Sequence, residues 1–243
     1  MYQEAINNYL IQHGHEKINL KAVLFDMDGV LFNSMPNHAS SWHKVMERMG
    51  FGLSEEEAYM HEGRTGADTI NIISRRERGC DATDEEIKAI YAAKSEEFNK
   101  CPEAPRMPGA WEVLNKIKDD GLTRMIVTGS GQVSLLDRLN KNFPGIFQKE
   151  LMVTAFDIKF GKPNPDPYLM ALEKGGLKPN EAIVIENAPL GVQAGVAAGI
   201  FTIAVNTGPL PDEVLWDAGA NLLFHSMPEF NENWETVRKA LIG

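Results

Sequence analysis

The sequence predicts an α/β fold in which helices cover both faces of a parallel sheet and a separate helical domain is inserted after the first strand. Three observations support this prediction. The run 22–25 is apolar and ends at Asp26 and Asp28, which is typical of a strand buried on both faces. The stretch that follows is helical throughout. From Gly109 onward, predicted helices and strands alternate, which indicates a parallel sheet.

Length and composition restrict the class of protein. A chain of 243 residues can bury a large core, as one domain or as one domain with a smaller insert. The formal net charge is −10 and the basic residues are scattered, which argues against nucleic acid as a partner. Residues 1–19 are a polar N-terminal extension without the apolar core of a signal peptide, and no apolar run is long enough to span a membrane. We therefore expect a cytoplasmic monomer that acts on a small molecule.

The two cysteines, Cys80 and Cys101, stand in polar, helical-looking sequence. They lack the CxxC or Cys/His spacing of a metal site. Reduced thiols are therefore expected, rather than a disulfide or bound zinc.

The inserted region reads as a series of helices. Apolar residues recur at helical spacing until Gly50, and Ser54 and Thr83 each begin a pattern typical of a helix N-terminus. The helices predicted after Gly50 are 54–61, 66–79 and 84–100.

Prolines mark the two ends of this insert. Pro36 and the proline cluster over 102–108 are expected to be linkers. We therefore predict a helical cap over 35–106 and a core made of 20–34 and 107–243. The alternative is that the helices pack on the sheet as crossovers, but four in a row exceed what one βαβ connection needs.

The remainder of the chain supplies the rest of the predicted sheet. The expected strands are 123–128, 151–154, 182–186, 200–205 and 221–224. The expected helices are 109–120, 132–141, 166–175, 189–198, 211–218 and 231–242. Gly191, Gly195 and Gly199 recur at a spacing of four, which here favours close packing of a helix on the sheet over a membrane dimer.

Polar residues follow the first two core strands. Asp26 and Asp28 stand where the first strand ends, and ligands bind at the carboxyl ends of strands in open α/β sheets. An ordinary turn is the alternative, because Asp and Gly are common turn residues. The second strand ends in Thr128, followed by Gly129 to Gly131. Its hydroxyl groups and exposed backbone amides suit a phosphate oxygen, although a plain turn explains the pattern equally well.

Two further clusters follow later in the chain. Lys162 stands in a proline-stiffened loop over 160–167, which suits a point charge that must meet a phosphoryl group. A surface lysine is the usual alternative. Glu186 and Asn187 end the strand 182–186 and offer oxygen ligands of the kind that Mg²⁺ accepts.

The four clusters together resemble the ordered motifs of the haloacid dehalogenase superfamily, over residues 21–206. They read Asp-x-Asp-Gly, Thr-Gly-Ser, Gly-Lys-Pro and Glu-Asn. The segment 26–34, His38 and the helical insert resemble the β-phosphoglucomutase branch of that superfamily. Within the branch, the segment 60–66 is similar to the cap sequence of bacterial inorganic pyrophosphatases. The resemblance implies a Rossmann-like parallel sheet core with an inserted helical-bundle cap.

The resemblance also implies a role for each motif. Asp26 would be the nucleophile that forms an aspartyl phosphate, and Asp28 would be the general acid and base. Magnesium would be the cofactor, and its implied ligands are Asp26, the backbone carbonyl of Asp28, Asn187 and, as a further candidate, Glu186. The residues implied to bind the phosphoryl group are Thr128, Gly129, Ser130 and Lys162.

Several residues depart from the family pattern. Family members commonly end the fourth motif in Glu-Asp, so Asn187 removes one negative charge and should weaken magnesium binding. The mutase cap supplies a lysine and an arginine where this chain has Glu62 and Gly66, with Arg64 between them. Those replacements count against mutase activity. His38 matches a mutase histidine that positions the acid/base aspartate, although a helix-surface histidine is the plain alternative.

Glu62 separates the candidate substrates. A cap glutamate would repel the second phosphate of a sugar bisphosphate unless a cation lay between them. Because pyrophosphate travels with Mg²⁺, we hypothesise that Glu62 reaches the metal or its waters and leaves no room for a hexose. The alternative is that Glu62 caps the turn before Gly63.

The leading hypothesis is a Mg²⁺-dependent phosphohydrolase that acts on a small phosphorylated substrate, with inorganic pyrophosphate favoured. The second is a sugar-phosphate mutase that uses the same aspartyl phosphate. The third is a phosphate-binding protein that has lost turnover, but Asp26, Asp28 and Lys162 are all retained, which argues against it.

Overall fold

The structure is a computed structural model that describes residues 2–130 and 135–243. Its sheet has six strands, and all neighbouring strands are parallel. The strands are β1 (Ala22–Phe25), β2 (Thr123–Val127), β3 (Met152–Val153), β4 (Ala182–Glu186), β5 (Phe201–Val205) and β6 (Leu222–Phe224). Their order across the sheet is β3-β2-β1-β4-β5-β6. The predicted α/β fold is therefore confirmed.

Helices surround this sheet and fill the connection between β1 and β2. They are α1 (Tyr2–His13), α2 (Met35–Arg48), α3 (Glu55–Met60), α4 (Gly66–Arg78), α5 (Asp84–Lys100), α6 (Ala110–Asp119), α7 (Leu135–Asn142), α8 (Asp166–Gly175), α9 (Pro189–Ala197), α10 (Asp212–Asp217) and α11 (Met227–Ile242). Within the described residues, no helix is long and apolar enough to cross a bilayer.

The position of β1 explains why the site lies where it does. Ala22 pairs with Thr123 on one side and with Ala182 on the other, so β1 lies between β2 and β4. The strand order changes direction between β1 and β4. In open α/β sheets, this switch point leaves a crevice at the carboxyl ends of the strands, where ligands bind.

Separate apolar clusters cover the two faces of the sheet. One face packs against α1, α6 and α11, and Phe25 and Trp234 are fully buried there. The other face packs against α8 and α9. At Gly195, an added Cβ would lie 2.6 Å from Thr202 Oγ1, so α9 needs glycine to approach the sheet. This confirms the expected close packing of that helix.

Helices α2 to α5 have an apolar cluster of their own, which includes Val45 and Ile73. The helix N-termini predicted at Ser54 and Thr83 are confirmed. The Ser54 side chain accepts a hydrogen bond from the Glu57 N–H, and Thr83 forms a capping box with Glu86. Both cysteines are free, as expected.

Several element boundaries differ from the prediction. Helix α11 begins at Met227 rather than at 231, because Ser226 caps it and a proline is tolerated in the first helical turn. Strand β3 has only two residues. Gly131 and the predicted helix start at 132 lie outside the described residues.

The N-terminal residues, expected to be a polar extension, form helix α1. In α1, Ile6 and Tyr9 are each only 1% exposed and belong to the main apolar cluster. The Tyr9 hydroxyl donates to the Gly199 carbonyl at 2.9 Å, and the Tyr9 ring meets Phe201 edge-on. The sequence of α1 is only weakly amphipathic, so its pattern did not indicate that Ile6 and Tyr9 would be buried.

We predict that Tyr9→Ala lowers the free energy of unfolding by about 3 kcal/mol, because it leaves a cavity where a buried ring was. Tyr9→Phe should cost about 1 kcal/mol for the lost hydrogen bond. Denaturant unfolding measures both values. Ile11→Ala is the matched control, since Ile11 lies on the same helix and is 81% exposed. If Ile11→Ala and Tyr9→Ala were equally destabilising, α1 would not be anchored as described.

Candidate active site

A buried lysine lies at the centre of the site. Lys162 is 2% exposed, and its Nζ donates to Asp26 Oδ1 at 2.5 Å, to Glu186 Oε1 at 2.6 Å and to the Val127 carbonyl at 3.0 Å. The surface-lysine alternative is therefore wrong. The carboxyl ends of β1, β2 and β4 converge on this ammonium group, as the strand order requires.

The carboxylate of Glu186 is fully hydrogen-bonded within the protein. Its Oε1 accepts from Lys162 and from the Tyr168 hydroxyl at 2.8 Å. Its Oε2 accepts from the backbone N–H groups of Asn187 at 3.1 Å and Ala188 at 3.3 Å. Glu186 thus fixes the position of Lys162, and neither oxygen is free in this arrangement.

Asp28 is connected to the cap by a chain of hydrogen bonds. Its Oδ1 accepts from Ser34 Oγ at 2.5 Å and lies 3.5 Å from His38 Nε2. Lys94 Nζ lies 2.7 Å from His38 Nδ1. An ammonium group can only donate, so Nδ1 accepts and the Nε2–H is left to face Asp28. His38 is therefore placed to orient Asp28, although it was predicted only from the resemblance.

The charged groups in this series of hydrogen bonds shift one another's pKa values. Burial lowers the pKa of Lys94 to about 8. Burial and the nearby Lys94 also lower the pKa of His38. Burial alone would raise the pKa of Asp28, but His38 and the Ser34 hydrogen bond hold it well below its usual range.

Glu62 comes from the cap and reaches the core. Both of its oxygens lie 3.1 Å from the Nδ2 of Asn187, which donates to them. Burial raises the pKa of Glu62 well above its usual value, and the charge of Asp26 raises it further. Glu62 therefore does more than cap the turn before Gly63, because its carboxylate contacts a core residue.

The cap segment 62–66 lies directly against the core loops, and glycines make this possible. An added Cβ on Gly129 would lie 3.3 Å from the Gly63 carbonyl oxygen. One on Gly161 would lie 2.9 Å from Thr65 Cγ2, and one on Gly63 would lie 3.0 Å from Lys162 Cδ. The cap is therefore closed over the core in this structure.

The closed cap encloses the front cavity, of about 620 Å³, into which Asp26 and Asp28 face. Thr128 is buried at its floor, and its Oγ1 accepts from the Ser130 N–H at 3.1 Å. The other residues that line the front cavity include Trp42, His61, Glu62, Arg64, Tyr91, Lys94, Phe98, Asn99, Gly129 and Asp137. Of the site residues predicted from the sequence, all except Lys162, Glu186 and Asn187 line the front cavity; Lys162 contacts Asp26 and Asn187 contacts Glu62, whereas Glu186 lies behind Lys162.

Two buried residues of this site were missed in the sequence. Lys94 follows Ile90 and precedes Phe98 at helical spacing, so a charged residue within an apolar stripe was the available signal. Tyr168 had no such signal, because its hydroxyl partner becomes its neighbour only through the fold.

The residues present fit a divalent cation. Asn187 Oδ1 is buried and has no hydrogen-bond partner among the described residues. Asp26 lies close to three more carboxylates, those of Asp28, Glu62 and Glu186. Burial raises the pKa of Asp26, and the charges of Glu186 and Asp28 raise it further. Lys162 has the opposite effect on this pKa. One ammonium group does not balance these charges. Within 2–130 and 135–243, no three His, Cys, Asp or Glu side chains form a metal cluster, so such a cation would need the Asn187 amide oxygen.

Comparison with known proteins defines the class. The profile of the haloacid dehalogenase-like hydrolase family matches residues 23–205. The chain belongs to this family and is an enzyme of the haloacid dehalogenase type. Among relatives, it is 34% identical over 188 residues to hexitol phosphatase A of Escherichia coli, which covers 76% of this chain and 83% of the relative.

Two further comparisons are informative. A solved structure from Bacteroides vulgatus, provisionally named a beta-phosphoglucomutase, is 79% identical, with a TM-score of 0.98 and coverage of 100% of this chain and 98% of that one. The phosphorylated carbohydrates phosphatase of Thermotoga maritima is 29% identical over 203 residues, 83% of this chain and 92% of that protein.

We predict that Gly29→Ala reduces turnover of a small phosphate monoester by about 10². An added Cβ would lie 2.7 Å from Asn187 Cγ and would displace that side chain from the site. Gly14→Ala is the matched control, because Gly14 has a similar positive φ of 67° but no atom within 4 Å of the added Cβ. Steady-state kinetics of the two folded variants test this prediction. Equal turnover in both would show that catalysis does not depend on the observed position of the Asn187 side chain.

Proposed function

We propose that this enzyme is a Mg²⁺-dependent phosphohydrolase that works through an aspartyl-phosphate intermediate, with inorganic pyrophosphate as its favoured substrate. The observation that carries the substrate assignment is the contact between Glu62 and Asn187. It brings a cap carboxylate into a site that already contains Asp26, Asp28 and Glu186. Such a site favours a substrate that arrives with a divalent cation over one that needs a cap lysine or arginine.

The core residues have distinct roles in the proposed mechanism. A carboxylate oxygen of Asp26 attacks phosphorus, and the bond from phosphorus to the leaving oxygen breaks. Asp28 is ionised in this structure, so the approach of the anionic substrate must first raise its pKa before it can give a proton to that oxygen; it later takes a proton from the water that cleaves the aspartyl phosphate. Thr128 holds the phosphoryl oxygens, together with the amide and hydroxyl groups of 129–130. The three N–H groups of Lys162 are already bonded to Asp26, Glu186 and the Val127 carbonyl, so Lys162 reaches a phosphoryl oxygen only when its bond to Asp26 opens as that carboxylate attacks phosphorus.

The proposed cofactor is Mg²⁺, held by Asp26, the backbone carbonyl of Asp28 and Asn187. It would neutralise the anionic substrate as it approaches the Asp26 carboxylate. Glu186 is assigned to Lys162 rather than to direct metal contact, because its oxygens are already occupied. The buried, unpartnered Oδ1 of Asn187 supports its own assignment.

We further propose that residues 35–106 act as a cap that closes over bound substrate. Arg64 lines the front cavity from the cap side, and so does Lys94. Both could attract the second phosphate of pyrophosphate. His38 would orient Asp28 from the first cap helix.

Phosphorylated sugars or polyols are a second candidate class. The front cavity, at about 620 Å³, is within the range of small-molecule sites and has Trp42, Tyr91 and Phe98 among its lining residues. This room does not support the expectation that Glu62 excludes a hexose. The names of the phosphatase relatives favour this class too. For a mutase, Glu62 and Gly66 still replace the expected cap cations.

A substrate screen separates these candidates. Purified enzyme with Mg²⁺ would be assayed for phosphate release from pyrophosphate, hexitol phosphates and hexose phosphates, and for isomerisation of β-glucose 1-phosphate. The proposal expects pyrophosphate to have the highest kcat/KM. A polyol or hexose phosphate with a higher value would replace pyrophosphate, and isomerisation exceeding hydrolysis would indicate a mutase.

We predict that Asp26→Asn abolishes turnover of every substrate, because an amide is not an equivalent nucleophile. Hydrolysis by the wild type in ¹⁸O-water should place the label in the released phosphate, because water attacks the phosphorus of the aspartyl phosphate. Label in the Asp26 carboxylate after repeated turnovers would show that water attacks the carbonyl carbon instead. Rapid acid quench should trap a phosphoenzyme on Asp26. Asp137→Asn is the control, since Asp137 lines the same cavity and is exposed. Failure to trap the phosphoenzyme during turnover would favour direct attack by water.

We predict that Glu62→Ala reduces pyrophosphate turnover by a factor on the order of 10² while small phosphate monoesters are affected far less. The reason is that Glu62 orders the closed, metal-bound site only for the compact substrate. Glu56→Ala, an exposed change on α3, should leave both activities intact. Equal losses on both substrates would remove Glu62 from the specificity argument.

A further inference from the structure

A second cavity lies behind the catalytic site and has no role in the mechanism above. This rear chamber, of about 350 Å³, is lined by Gly29, Asn33, Tyr59, Asn187 and the loop 207–209, among others. Met35 is shared with the front cavity, whereas Asn187 lines only the rear chamber. Asn33, Pro36 and Pro209 line the rear chamber and are exposed, so the chamber opens to solvent beside these three residues.

The two cavities meet at a thin partition. Glu62 lines the front cavity and accepts hydrogen bonds from the Asn187 amide, which lines the rear chamber. The Asn187 side chain lies directly against Gly29, where an added Cβ would leave it only 2.7 Å from Asn187 Cγ. Asn187 is therefore reached from the front past Glu62, but from the rear without passing the cap segment 62–66.

The two cavities also differ in charge. Lys94, Arg64 and two histidines line the front cavity together with its carboxylates. Among the described residues that line the rear chamber, none carries a charged side chain. Nothing there attracts an anion or repels a cation. Beyond the partition, however, lie the carboxylates of Asp26, Asp28 and Glu62, which attract a cation from a distance of several ångströms through a poorly screened interior.

We propose that the rear chamber is the route by which a hydrated divalent cation enters and leaves the site, separate from the path of the anionic substrate. This inference rests on the proposed metal dependence. The buried Oδ1 of Asn187, which has no partner among the described residues, would be the first protein ligand on that route. Three lining residues, Met35, Pro36 and Tyr59, belong to the cap, and the others come from the core, so the rear chamber lies between the two.

The test is the rate of Mg²⁺ release from the full-length, metal-loaded protein into an excess of fluorescent chelator, without substrate. Asn33→Trp and Pro209→Trp obstruct two of the three exposed positions at the edge of the rear chamber, and Asn33→Ala is the matched control. The variant that carries both tryptophans should slow both binding and release by about tenfold, and each tryptophan alone should slow them less, because the other openings remain. The dissociation constant should stay unchanged, because an obstruction alters the barrier and not the end states. Asn99→Trp, at the exposed edge of the front cavity, should leave the metal rates unchanged.

Two results would overturn the proposal in different ways. If the variant with both tryptophans released Mg²⁺ as fast as Asn33→Ala, or if only Asn99→Trp slowed release, the cation would travel through the front cavity. That outcome leaves the proposed function intact. If wild-type protein showed no Mg²⁺ binding at equilibrium by calorimetry, the metal-dependent function itself would fail, and the route with it. Circular dichroism confirms that each variant is folded before its rate is compared.

Discussion

The buried ion pairs of Lys162 are the interaction on which the rest of the site depends. Two carboxylates and one carbonyl surround its ammonium group, and it is 2% exposed. Removing one partner of such a group leaves an uncompensated buried charge, which costs about 3–5 kcal/mol. Asp26, Glu186 and the closed cap are all positioned against this one side chain, whose stem also contacts Gly63. The ammonium group therefore joins the core motifs, and the stem of the same side chain lies beneath the cap segment at Gly63.

Much of this arrangement could be predicted because parallel strands bring their carboxyl ends to one edge. Apolar runs that end in Asp26, Thr128 and Glu186 were sufficient to place these residues together. Lys162 was different: its loop has no strand periodicity, so its burial depends on contacts distant in sequence. The same holds for Lys94, which reaches His38 from another cap helix, and for α1, whose buried anchors are too few to give a strong apolar period.

Charge is divided between core and cap in this enzyme. The core has the uncharged Asn187 directly after Glu186, and the cap brings Glu62 to that same amide. In this structure the cap therefore adds the carboxyl group of Glu62 to those of Asp26, Asp28 and Glu186. The positive groups of the cap, Lys94 and Arg64, line the same front cavity. Under the proposed function, this grouping of carboxyl groups is the reason that a leaving phosphate with a bound cation is preferred to a neutral sugar.

The insertion of the cap after β1 also affects how the chain folds. Ala22 in the central strand pairs with Thr123 and Ala182, so neither neighbour is close in sequence. Closing loops of that length slows folding when the intervening chain is unstructured. The cap has its own apolar cluster, however, and helices with local contacts form quickly. A cap that forms early shortens the effective distance between β1 and β2, so the element that closes the active site also helps the central strands to meet.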